Sequence, residues 1–109
     1  MLPEKILNIE GDFQYTQDSF VLSRIAPGIF YKWNEIEIIT AYKLDLITTD
    51  DVRLNISFSN MVLTISEEMP GWPLFIEKLM KAMPGIPGDW EEKVIETPFA
   101  ANTTIIYKK

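Results

Sequence analysis

The sequence predicts one α+β domain over residues 1–109, formed by a curled antiparallel sheet or partly open barrel of about 6–8 strands, with helices near its end. Three observations lead there. Residues 36 to 65 alternate apolar and polar side chains along most of their length, the period of a strand. From Trp72 to Met83 the apolar residues instead recur at every third or fourth position, the period of a helix. The chain has 109 residues, 47% of them hydrophobic, which is enough for one core and too short for two.

In order along the chain, "KILNI" and "DFQYT" are short candidate strands, and "SFVLSRI" and "GIFYKW" read as a hairpin turning at Pro27-Gly28. The Trp33-Asn34-Glu35 step then reads as a strand junction. In the next strand Ile36, Ile38, Thr40, Tyr42, Leu44 and Leu46 are expected to face the core, with Glu37, Lys43 and Asp45 marking the other side. The turn "TTDD", Thr48 to Asp51, follows, because Thr and Asp side chains hydrogen-bond nearby backbone and compete with pairing. Val52, Leu54, Ile56 and Phe58 alternate with Arg53, Asn55 and Ser57, and after Ser59-Asn60 the chain returns through Met61, Leu63 and Ile65.

Pro73 suits a first helical turn, where its missing N–H has no intrahelical partner to lose. Trp72, Phe75 or Ile76, Leu79 and Met83 give the amphipathic helix its apolar stripe over about 73–83, and Pro84-Gly85 ends it. Asp89 followed by Glu92 has the spacing of a capping box and predicts a short second helix over about 89–96, ended by Pro98. "NTTIIYKK" closes the chain as a C-terminal strand.

Composition excludes much chemistry. There is no cysteine and no histidine, which removes disulfides, thiolate nucleophiles, the Ser-His-Asp arrangement and most transition-metal sites. The five glycines form no phosphate-binding loop. Ten basic against sixteen acidic residues leave a formal charge of -6, a field that repels nucleic acid and anionic lipid. No apolar run approaches the roughly 20 residues of a bilayer span, and "MLPEKILNIEGDF" lacks the basic flank of a signal peptide, so a cytoplasmic chain is expected. No cofactor, metal site or catalytic residue is assigned.

Two acidic groupings are weighed. Asp45, Asp50 and Asp51 gather near one hairpin end but match no calcium loop, and a solvated turn is the better account. Glu67, Glu68, Glu91 and Glu92 could supply a catalytic carboxylate pair, but helix-end electrostatics explains acids at those positions.

From Tyr31 to Lys109, the set Trp33, Glu68, Gly71, Trp72, Trp90, Phe99, Asn102, Thr103 and Tyr107 resembles a family of small, acidic, uncharacterised bacterial proteins. Its pattern is a Trp before an Ile-rich strand, an acidic-Gly-Trp helix entry, a second Trp and a Phe-x-x-Asn-x-Thr-x-x-Tyr-like closing strand. That resemblance implies an architecture and no activity. The strand-rich body followed by a helix is also similar to a pleckstrin-homology-like barrel, from which it departs by the extension after the helix and by lacking the basic loop of phosphoinositide-binding members. A looser similarity is to immunity proteins that neutralise a co-encoded toxin.

The expected function is therefore that of a non-enzymatic domain binding a protein with a basic surface, through Glu67, Glu68, Trp72, Asp89 and Glu91, where carboxylates border large aromatics. The alternative is a small-molecule binder or enzyme using carboxylates, Tyr42 or Lys43 in a sheet-helix cleft. Homodimerisation through an exposed strand edge is a third expectation.

Overall fold

A computed structural model describes residues 10–45, 50–96 and 103–109, with the backbone alone described at Asp45. The expected strand over Lys5–Ile9, positions Leu46, Ile47, Thr48 and Thr49, and Pro98, Phe99 and Asn102 lie outside the described residues.

The expected α+β architecture is present. Its strands are β1 (Phe13–Tyr15), β2 (Ser19–Leu22), β3 (Ala26–Lys32), β4 (Ile38–Asp45), β5 (Asp50–Ser57), β6 (Val62–Ser66) and β7 (Thr103–Lys108). The helices are α1 (Trp72–Ala82) and α2 (Trp90–Glu96), and a single 3-10 turn over Trp33–Glu35 makes the expected junction between β3 and β4. The strands form two antiparallel sheets, one of three in the order β1-β2-β3 and one of four in the order β6-β5-β4-β7. Among the described residues no helix is long and apolar enough to cross a membrane.

The four-stranded sheet is organised by cross-strand apolar pairs. Ile39 stands opposite Ile56 and Ala41 opposite Leu54, and Leu54 in turn faces Ile65. All five are buried, so one continuous apolar face runs over β4, β5 and β6. β5 alternates as expected. In β4 the assignment of faces is corrected: Ile39, Ala41 and Lys43 point inward, while Ile38, Thr40, Tyr42 and Leu44 are only half-buried. Both sides of β4 are apolar enough to be core, and Lys43 tips the reading the wrong way because its ammonium finds a carbonyl partner inside.

The hairpin of β2 and β3 turns at Ser23–Ile25, not at Pro27-Gly28, which lies within β3. Phe20 pairs with Tyr31 and Leu22 with Ala26, so residues 27 to 30 stand against Val21 alone. This bulge relieves Pro27 of any need to donate a ladder hydrogen bond, which is why a proline is tolerated there.

α1 closes the core between the sheets. Trp72, Phe75 and Leu79 form its buried stripe, while Glu77, Lys78 and Lys81 face water. The Phe75 ring stacks on Phe13 at 4.6 Å and meets Phe20 edge-on at 5.1 Å, so one helical residue packs against both β1 and β2. Each such side chain contributes about 1.5–3 kcal/mol by leaving water. The helix starts where two glycines meet back to back. Gly11 (φ 60°) and Gly71 (φ 93°) both occupy the left-handed region, and a Cβ on either would overlap the backbone of the other segment. Asp12 N–H donates to the Pro70 carbonyl at 2.8 Å across the same contact.

Candidate partner-binding surface

The link from β6 to α1 places the first of the expected contact residues. Glu67 continues the ladder past β6, its N–H donating to the Val52 carbonyl at 2.9 Å, and its carboxylate folds back to accept from the Val52 N–H at 2.9 Å. Glu67 thus holds both the carbonyl and the N–H of a single residue of β5, the first through its backbone and the second through its side chain. Glu68 N–H donates to Ser66 Oγ at 3.1 Å, which turns the chain and leaves the Glu68 side chain in water.

Trp72 is 7% exposed and belongs to the core, as does Trp90. Its indole N–H donates to Glu91, on the first turn of α2, and Glu67 lies close enough to Glu91 for the two carboxylates to repel. Burial first, and Glu67 second, push the Glu91 carboxyl above its ordinary range; the bond from Trp72 works in the opposite direction. Asp89 is exposed at the start of α2, with its carboxylate 3.7 Å from Lys93 Nζ and its carbonyl accepting from the Lys93 N–H. Glu67, Trp72 and Glu91 are therefore brought together, Glu68 and Asp89 flank them on the surface, and the aromatic member faces inward.

The other residue groups singled out by sequence separate. Asp50 and Asp51 are adjacent on β5 and so project to opposite faces. Asp50 is 53% exposed and 3.9 Å from Lys43 Nζ. Asp51 is 2% exposed, and its carboxylate accepts from Arg53 Nε and Ser66 Oγ, both at 2.8 Å. These two carboxylates do not converge on one cation, and among the described residues no group of metal-ligating side chains gathers. Tyr42 and Lys43 diverge for the same reason. Lys43 reaches the sheet-helix interface and donates to the Ile95 carbonyl at 3.1 Å, satisfying an end carbonyl of α2. The Tyr15 hydroxyl is buried with no hydrogen-bond partner among the described residues, and burial together with Glu10 pushes its pKa well above the ordinary phenol value.

A second surface was not singled out from sequence. At the opposite end of the β5–β6 hairpin a groove of about 470 Å³ opens between β3 and the 58–61 turn. Ile29, Phe30, Tyr31, Phe58 and Met61 form its apolar lining, and Glu35 and Glu37 stand at its rim. Ile29 is 51% and Phe30 58% exposed. The available signal was the run Ile29-Phe30-Tyr31: three consecutive apolar residues on a strand cannot all face one core, because successive side chains alternate. Comparison of the chain with protein-family models, with curated proteins and with solved structures gave no match.

Proposed function

We propose that the chain is a non-enzymatic, cytoplasmic binding domain whose acidic end meets a protein partner with a basic surface, in the manner of an immunity protein held against a toxin. The observation that supports this reading is the convergence of Glu67 and Glu91, flanked by exposed Glu68 and Asp89. The Glu67 charge adds to burial in raising the Glu91 carboxyl, and a cation arriving there relieves that repulsion, so a lysine or arginine presented at this end gains more than it would at an isolated acid. The formal charge of -6 steers such a partner from a distance.

Affinity capture from cells of the source organism tests this, comparing the wild-type chain with a Glu67→Gln/Glu68→Gln/Asp89→Asn variant. A basic protein should be enriched by the wild type and lost by the variant. Enrichment of no protein, or of one that the variant retains equally, overturns the proposal. For the immunity form of the reading, co-expression must also relieve the partner's toxicity.

A further inference from the structure

We propose that the groove between β3 and the β5–β6 turn is a docking site for an extended protein segment that carries a bulky apolar side chain beside a lysine or arginine. It is a separate surface from the acidic end: β6 has five residues, which at strand rise puts the two ends of the hairpin about 17 Å apart.

The occupant follows from the lining. Ile29, Phe30 and Met61 leave apolar area in water on one contiguous patch, in contrast to exposed Ile25 or Val62, which are not part of the groove. Tyr31 and Phe58, with ring centroids 5.8 Å apart, make an aromatic floor. The volume accepts one or two large side chains. At the rim, Glu35 and Glu37 are both exposed. The cation lining the same groove, Lys109, already donates through Nζ to the Asn34 carbonyl at 2.9 Å, while its backbone N–H bonds the Glu37 carbonyl. An incoming positive charge therefore finds carboxylates on offer.

Two features favour a polypeptide. Among the described residues β3 pairs only with β2, so it is the outer strand of its sheet and can receive an added strand. Ser59, Asn60 and Asn34 add hydroxyl and amide groups able to bond peptide backbone. A second copy of this chain is the poorer occupant, because docking groove to groove would set Glu35 and Glu37 against their own equivalents.

The test pans the 109-residue chain against a library of short random peptides and measures a recovered peptide by fluorescence polarisation. Recovered peptides should share a large apolar residue next to lysine or arginine. Affinity should fall by about tenfold or more in Phe30→Ser and in Glu35→Gln/Glu37→Gln, and stay unchanged in Glu67→Gln/Glu68→Gln. Ile29→Ser replaces Phe30→Ser should the latter lose its cooperative melting transition. Recovery of no peptide, recovery of peptides without a cation, or binding that survives the groove substitutions overturns the proposal. So does light scattering that shows a dimer split by Phe30→Ser, which would make the occupant a second copy. A groove response with an unchanged acidic-end variant reports on this site alone, whatever becomes of the acidic end.

Discussion

Lys43 on β4 donates through Nζ to the Ile95 carbonyl on α2 at 3.1 Å, so the sheet itself closes the last turn of the short helix. Trp90 and Val94 are the buried residues of the same helix. Lys43→Met keeps the apolar stem but removes the donor, and should cost about 1–3 kcal/mol in chemical denaturation. Amide exchange in Trp90–Glu96 should quicken more than in α1. Equal change in both helices would mean that Lys43 acts only through general packing.

The neighbours Asp50 and Asp51 should respond very differently to removal. Asp51→Ala removes a buried carboxylate that accepts from Arg53 Nε and Ser66 Oγ, and should cost about 1–3 kcal/mol. Asp50→Ala, at an exposed side chain with a 3.9 Å contact, should stay within about 0.5 kcal/mol. Urea unfolding of both variants checks the contrast, and comparable losses would show that the Asp51 network is not what holds that end of β5.

Acid should strengthen the region around Glu91. Its carboxyl is raised in the folded chain by burial and by Glu67, so the folded state holds this proton more tightly than the unfolded state. The stabilisation is complete below the ordinary glutamate range, about pH 4, and is lost as pH rises through the raised value. Glu91→Gln keeps an acceptor for Trp72 and removes the charge, so it should be more stable than wild type at neutral pH and equal to it in acid. Carboxyl NMR of Glu67→Gln should show Glu91 titrating lower than in the wild type; an unchanged titration would exclude Glu67 as a cause.

Gly11→Ala and Gly71→Ala should each cost about 3 kcal/mol or more, combining left-handed strain with overlap of the facing backbone. The double substitution should cost less than the sum, since once the two segments part the second methyl has little left to displace. Thermal melts of the three variants measure this, and strict additivity would mean the glycines serve only their own turns.

How far the fold could be read from sequence depended on whether each residue had one plausible environment. On β5, Arg53, Asn55 and Ser57 have no reason to enter a core, so Val52, Leu54 and Ile56 identify the inner face at once. On β4 both faces carry Ile, and the lysine that seemed to mark the outside is inside because a helix carbonyl receives it, a contact over fifty residues distant that no local pattern contains. Pro27-Gly28 attracted the turn by local preference, yet the bulge against Val21 lets the pair remain in a strand. α1 was plain because Trp72, Phe75 and Leu79 repeat at helical spacing between Gly71 and Pro84. Of the expected contact set, Asp89 and Glu91 lie at the start of α2 as their spacing implied, whereas Glu67 is held by Val52 at the end of β6, and the inward turn of Trp72 and the groove at Phe30 depend on how two sheets meet.

The paired glycines also bear on the order in which the chain assembles. They join positions about sixty residues apart, a closure whose entropy must be offset by packing formed elsewhere first. The meander of β4, β5 and β6 is the local structure that can form early, and the seating of the first strand against the helix entry then completes the molecule. Substitution at Gly71 should accordingly hasten unfolding while leaving the refolding rate nearly unaltered, the kinetic signature of a latch that shuts last.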